Sequence, residues 1–244
     1  MLGKRRSYAE AVQGRRRTLR RLGVLLLLFV TYELLSGLFL SAYSMKSQSM
    51  APTVLPGDRI LATPLPFGPH TAFGRLPGFA RPMRGDIVIA EPNYAARLGF
   101  WATVYDSFAR FVTFQLYSPA MSGLDGVLSA PALLRVVGVP GDTLEMDDFV
   151  FKVKPAGSDQ FLTEFELSSG RYDVSHEDPP DSWSADLPGS GHMDARSLGK
   201  DEYFLAGDAR SSSSDSRLWG PVGIDRFRAK ALLRYWPPKR FGAP

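Results

Sequence analysis

Residues 22–43 read LGVLLLLFVTYELLSGLFLSAY, an apolar run interrupted by one acid, Glu33. About 20 such residues cross the hydrocarbon core of a bilayer as a helix, so the run predicts a transmembrane span. Beyond it the period shortens. Residues 58–62 (DRILA), 86–90 (DIVIA), 133–139, 149–153 (FVFKV), 203–206 and 229–236 are brief runs of β-branched and apolar residues. Gly-Asp and Pro-Gly turns separate them, which is strand patterning. The predicted fold class is mainly β: an antiparallel β-rich domain over residues 44–244, behind one N-terminal transmembrane helix. Residues 95–116 (AARLGFWATVYDSFARFVTFQL) depart from this pattern, with Trp101, Tyr105, Phe108 and Val112 at helical spacing. They predict a helical insertion whose aromatic load suits either packing on the domain or contact with a membrane interface. Residues 64–82 and 168–197, rich in Gly, Pro and Ser, read as loops, and no internal repeat is present.

Charge sharpens the reading of the first run. The 244-residue chain carries a formal +4, yet Lys or Arg occupies eight of the first 21 positions against the single acid Glu10. The tail is therefore +7 and the remainder −3. Such a tail could serve nucleic acid, but an apolar run directly after it points to a membrane. Cations before the run and few after it orient the tail towards the cytoplasm and the domain away from it. A cleaved signal peptide is the competing reading, with small residues at Ser41 and Ala42 near the end of the run. The long basic lead and long apolar stretch favour a retained anchor. Glu33 within it must snorkel, take a proton or find a partner, and the sequence assigns it no role.

Composition removes several chemistries. Cysteine is absent, which excludes disulfides, a thiol nucleophile and thiolate metal ligands. His70, His176 and His192 lie far apart without ligand spacing, so no metal site is expected, and no motif calls for a cofactor.

Four short motifs follow the apolar run in order: SQSMAPT at 47–53, RGDIV at 84–88, RVVGVPGD at 135–142 and GDARSSSSDSRLWG at 207–220. Each alone is ordinary turn sequence. Their succession behind one anchor resembles the type I signal peptidases, membrane-anchored serine proteases that remove signal peptides from exported proteins. The resemblance implies Ser49 as nucleophile and Ser47 as the hydroxyl that helps stabilise the oxyanion; in an extended segment the two would share one face. It implies shallow substrate pockets built from Met45, Val54, Ile60 and Leu133. It further implies that Ser213 orients the general base, that Asp215 and Arg217 form a structural ion pair, and that Arg135 holds the register of its motif.

The base departs from the family pattern. A serine needs its proton removed, and the family uses a lysine kept neutral by burial. Its position here is Leu134, directly before Arg135. A guanidinium cannot substitute, because it stays protonated. Lys46 would point away from Ser49 along a strand, and Lys152 and Lys154 have no place fixed by sequence. The expected function is thus a membrane-bound serine endopeptidase acting on signal peptides of exported pre-proteins, with membrane lipid as its other partner. The alternatives are a paralogue that binds signal peptides or partner proteins without cleaving them, and a specialised processing protease of the same clan for pilin or conjugation systems. Only the first two differ at a residue, and that residue is Leu134.

Overall fold

The computed structural model describes the chain apart from residues 1–7, 72–73, 96–98, 114–116, 118, 120–130, 181, 185–186 and 188. Helix α1 spans Tyr8–Leu38. At 1.5 Å per residue, its 31 residues give a length of about 46 Å. Leucine and arginine, which dominate it, are strong helix formers. Its exposed apolar side chains run from Leu22 to Val30, directly after the arginines. Among the described residues no helix is long and apolar enough to cross a membrane.

The apolar run and the helix do not end together. Ser41–Ser44, whose first three residues were expected within the span, forms strand β1 and pairs antiparallel with β2 (Arg59–Thr63), Tyr43 opposite Ile60. Thr63 Oγ1 donates to the Phe39 carbonyl at 2.7 Å and ties down the exit from the helix. As the edge strand of its sheet it pairs on one side only, and its inward backbone groups bond to β2.

The main sheet has six strands in the order β1-β2-β12-β5-β6-β11. Here β5 is Ile87–Ala90, β6 Ala132–Gly138, β11 Phe204–Ala206 and β12 Phe227–Trp236. All its neighbours run antiparallel. A second antiparallel sheet, ordered β10-β7-β8-β9, combines Thr143–Asp147 (β7), Val150–Lys154 (β8), Leu162–Thr163 (β9) and Met193–Ser197 (β10). A two-stranded ribbon of His70–Thr71 (β3) and Gly74–Arg75 (β4) lies in the first expected loop, and β10 closes the second.

Three apolar clusters fill the domain, and β6 sorts residues between them. Leu133 joins Met50, Val54, Ile60, Ile87 and Ile89, with Met45 and Tyr43 against the same cluster. Leu134 and Val136 face the opposite way, with Val88, Leu205 and Phe227. Val137 and Phe204 pack on Leu144, Met146, Phe151 and Val153 and join the two sheets. The period of two along β6 therefore decides which chemistry each neighbour of Arg135 meets.

The insertion forms helix α2, Phe100–Val112, shorter than the expected 95–116; residues 96–98 and 114–116 fall outside the described part. It packs on α1. Phe29 meets Phe108 and Phe111 at ring-centroid distances of 5.8 and 5.3 Å, and Tyr32 meets Phe111 at 5.2 Å.

Candidate active site

Ser49 begins a tight chain reversal and does not lie in a strand. Its N–H donates to Ser47 Oγ at 3.1 Å. The Ala51 N–H reaches the Gln48 carbonyl at 2.9 Å, and the Val54 N–H reaches that of Met50 at 2.8 Å. The turn brings the Ser47 hydroxyl beside the Ser49 amide, where an extended segment would have set the two side chains in parallel. Distant parts of the chain take the remaining carbonyls of the loop. Ala209 N–H donates to that of Ser49 at 3.0 Å, and Ser175 Oγ to that of Ala51 at 2.9 Å. Arg234 and Arg240 donate to that of Thr53 at 2.6 and 3.1 Å. With Met50 and Val54 buried below, the loop has little freedom left.

Met45, Val54, Ile60 and Leu133, expected to line substrate pockets, all belong to the cluster beneath this loop. Val54, Ile60 and Leu133 are buried and Met45 is half-buried.

A chain of ion pairs braces the loop from behind. Arg135 makes a bidentate pair with Asp208 at 2.9 and 2.7 Å, and Thr53 Oγ1 donates to the same carboxylate. The Arg135 guanidinium also donates to the Gly85 carbonyl and lies 3.7 Å from the centre of the Tyr172 ring. Tyr172 donates to Glu164 at 2.7 Å, and Glu164 pairs with the fully buried Arg210. Burial first, and then the Glu164 carboxylate, push the Tyr172 phenol well above its ordinary range. Asp215 and Arg217 form the expected pair, bidentate at 2.8 and 2.7 Å. Asp215 additionally accepts from the Gly207 N–H at 3.0 Å and caps the short helix Ser216–Trp219.

Gly207 stands at the centre of the arrangement. A Cβ there would lie 2.1 Å from Ser213 Oγ and 2.4 Å from the Ser49 carbonyl oxygen, so only glycine fits between the two serines. The ladder between β11 and β6 pairs Leu205 with Val136 and Ala206 with Arg135. The strand ends there, and Gly207 is the next residue after the one opposite Arg135. Leu134 is fully buried, in the cluster with Val88, Val136, Leu205 and Phe227. Ser213 Oγ is buried too, and among the described residues it has no hydrogen-bond partner. The hydroxyl expected to orient a base is thus unsatisfied, and the position expected to hold that base carries a hydrocarbon side chain.

The sequence profile of the family "Signal peptidase, peptidase S26" matches residues 16–236, nearly the whole chain. This chain belongs to that family. It is 24% identical to the signal peptidase I of Leptolyngbya laminosa over 197 residues, covering 80% of this chain and 68% of the relative. A probable signal peptidase I-2 of Synechocystis is 24% identical over 196 residues, covering 80% and 63%. Signal peptidase IB of Staphylococcus aureus is 28% identical over 114 residues, covering 44% and 54%. The chain thus spans between about half and two thirds of the length of these three relatives.

Within this signal peptidase family member, the lysines among the described residues are engaged elsewhere or exposed. Lys152 pairs with Asp147 at 2.9 Å and Lys230 with Asp86 at 2.7 Å. Lys154 lies over the Phe161 ring, and Lys46, Lys200 and Lys239 are exposed. Among the described residues, those that could hold a metal form no cluster. Sequence patterning passed over Glu164, Tyr172 and Arg210 as supports. Arg210 stands inside the fourth motif, but Glu164 lies 46 residues upstream of it, and nothing local marks the two as a pair.

Proposed function

We propose that this chain acts on the signal peptides of exported pre-proteins, held at the cytoplasmic membrane by α1, as a serine endopeptidase with Ser49 as nucleophile. The observation that carries the reading is the Ser49 loop, pinned at nearly every carbonyl and set above the cluster of Met45, Val54, Ile60 and Leu133. Shallow apolar pockets suit the small side chains that precede a signal-peptide cleavage site. The arginine-rich lead into Leu22–Val30 supports attachment to anionic lipid with the tail on the cytoplasmic side and the domain outside.

In the reaction, Ser49 Oγ adds to the scissile carbonyl carbon and gives its proton to water. The Ser47 hydroxyl is the donor for the resulting oxyanion, and the Ser49 N–H joins it only by giving up its bond to Ser47 Oγ. The C–N bond then breaks, the departing amine takes a proton, and water hydrolyses the acyl ester. Residue 134 cannot remove the first proton. Turnover without that help is slower by on the order of 10²–10⁴ than with a positioned base.

A second reading rests on the same residue. Leucine at position 134, together with a Ser213 hydroxyl left unsatisfied among the described residues, favours a relative that captures signal peptides without turning them over. Incubating the full chain in vesicles with a pre-protein, and following release of the mature product, separates the two. Slow cleavage that Ser49→Ala abolishes supports the endopeptidase. Stable cross-linking to the signal peptide with no product supports the second reading, and neither product nor cross-link contradicts both.

A further inference from the structure

Helix α2 is sharply two-sided. At 100° per residue, Trp101, Val104, Tyr105, Phe108 and Val112 fall within a stripe about 100° wide. All five are exposed, Trp101 at 80% and Tyr105 at 64%. Thr103, Asp106, Ser107 and Arg110 occupy the opposite side, where Asp106 is buried and lies 3.9 Å from Arg110.

The rings of Phe108 and Phe111 anchor this helix to Phe29 and Tyr32. Phe29 belongs to the part of α1 where Leu22, Val24, Leu25, Leu26, Leu27, Leu28 and Val30 are all exposed. Consecutive exposed residues point in every direction around a helix, so no groove on one protein partner covers them all; an apolar solvent does. Arg15, Arg16, Arg17, Arg20 and Arg21, exposed immediately before them, provide the charge that anionic headgroups attract. Because α2 packs on this same stretch, its stripe continues the apolar surface of α1.

We propose that α2 is a second membrane-contacting element, seated along α1 with the Trp101–Tyr105–Phe108–Val112 stripe in the acyl chains of the bilayer and the Thr103–Arg110 side towards the domain and water. Aromatic bodies with polar tips suit the boundary between headgroups and hydrocarbon. In this arrangement the domain is held to the surface at two points, which restricts its rotation about α1. The inference rests on α1 as the membrane element.

The native chain contains no cysteine, so single thiols report cleanly. Tyr105→Cys and Thr103→Cys, each in the full chain and at exposed positions, are labelled with bimane. They are then reconstituted in phosphatidylethanolamine–phosphatidylglycerol vesicles with and without acyl-brominated lipid. The expected result is several-fold stronger bromolipid quenching at position 105 than at 103, with iodide in the buffer showing the reverse order. Equal iodide quenching at both positions in a chain that still floats with the vesicles overturns the inference and leaves α1 as anchor. Protection of position 105 from both quenchers assigns the stripe to a protein partner or a second copy, and overturns it as well. A chain that does not float at all removes the anchor itself.

Discussion

Leu134 and Ser213 are two residues whose side chains would suit each other only if one of them changed. A buried hydroxyl without a partner costs about 1–3 kcal/mol relative to one that is satisfied. Ser213→Ala should therefore leave stability unchanged or raise it by up to about 1 kcal/mol in urea unfolding, because it removes an unsatisfied group at nearly constant volume. In a Leu134→Lys background the same substitution should reverse its effect and lower both stability and cleavage, since the hydroxyl then has an amine to bond. A double-mutant cycle reads that coupling directly. The Asp215–Arg217 pair was legible in its motif, because its two residues lie two positions apart in one contiguous stretch. The turn at Ser47–Ser49 was not, since it is set by carbonyls that Ala209, Ser175, Arg234 and Arg240 reach from far along the chain.

At the scale of elements, the six expected strand runs correspond to β2, β5, β6, β8, β11 and β12, each within a few residues. A short run of β-branched and apolar residues between turns is a local signal, and these strands carry it, β5, β6 and β11 as almost continuously buried runs. Strands β1, β7 and β10 were missed for different reasons, as were the two-residue strands β3, β4 and β9, too short to show a period. The first is hidden at the end of an apolar run, while TLEMD and MDARS are too polar to stand out; β7 forms along β8, and β10 adds to its other edge. The braces between elements are long-range and charged. Arg210 joins the fourth motif to Glu164, which also accepts from the Phe151 N–H of β8. Truncating one partner of a buried ion pair strands the other, so Arg210→Ala should cost about 3–5 kcal/mol in urea unfolding. Tyr172 adds a dependence on pH. Its phenol, raised by burial and by Glu164, keeps its proton in the folded state after the unfolded chain has lost it. The stabilisation is complete below the ordinary tyrosine value of about 10 and is lost as pH rises above it. Thermal unfolding between pH 9 and 11 should show this loss, and Tyr172→Phe should make it shallower.

For the whole molecule, the sequence divides the labour visibly: an arginine tail, an apolar helix and a β domain that presents one serine. What remained hidden was how the parts touch. The contact of α2 with Phe29 and Tyr32 and the register that sets Arg135 across from Ala206 are relations between segments, which no single window displays. On the proposed function, leucine at position 134 leaves the Ser49 centre without the base that the family places there. The direct measure of that loss is the rate of pre-protein cleavage by the full chain in vesicles, for the native sequence and for Leu134→Lys, with folding of both checked by circular dichroism. The predicted result is a gain on the order of 10² or more in the lysine variant, abolished by adding Ser49→Ala. A native chain that already cleaves rapidly, and slows when Leu134 becomes lysine, would contradict it.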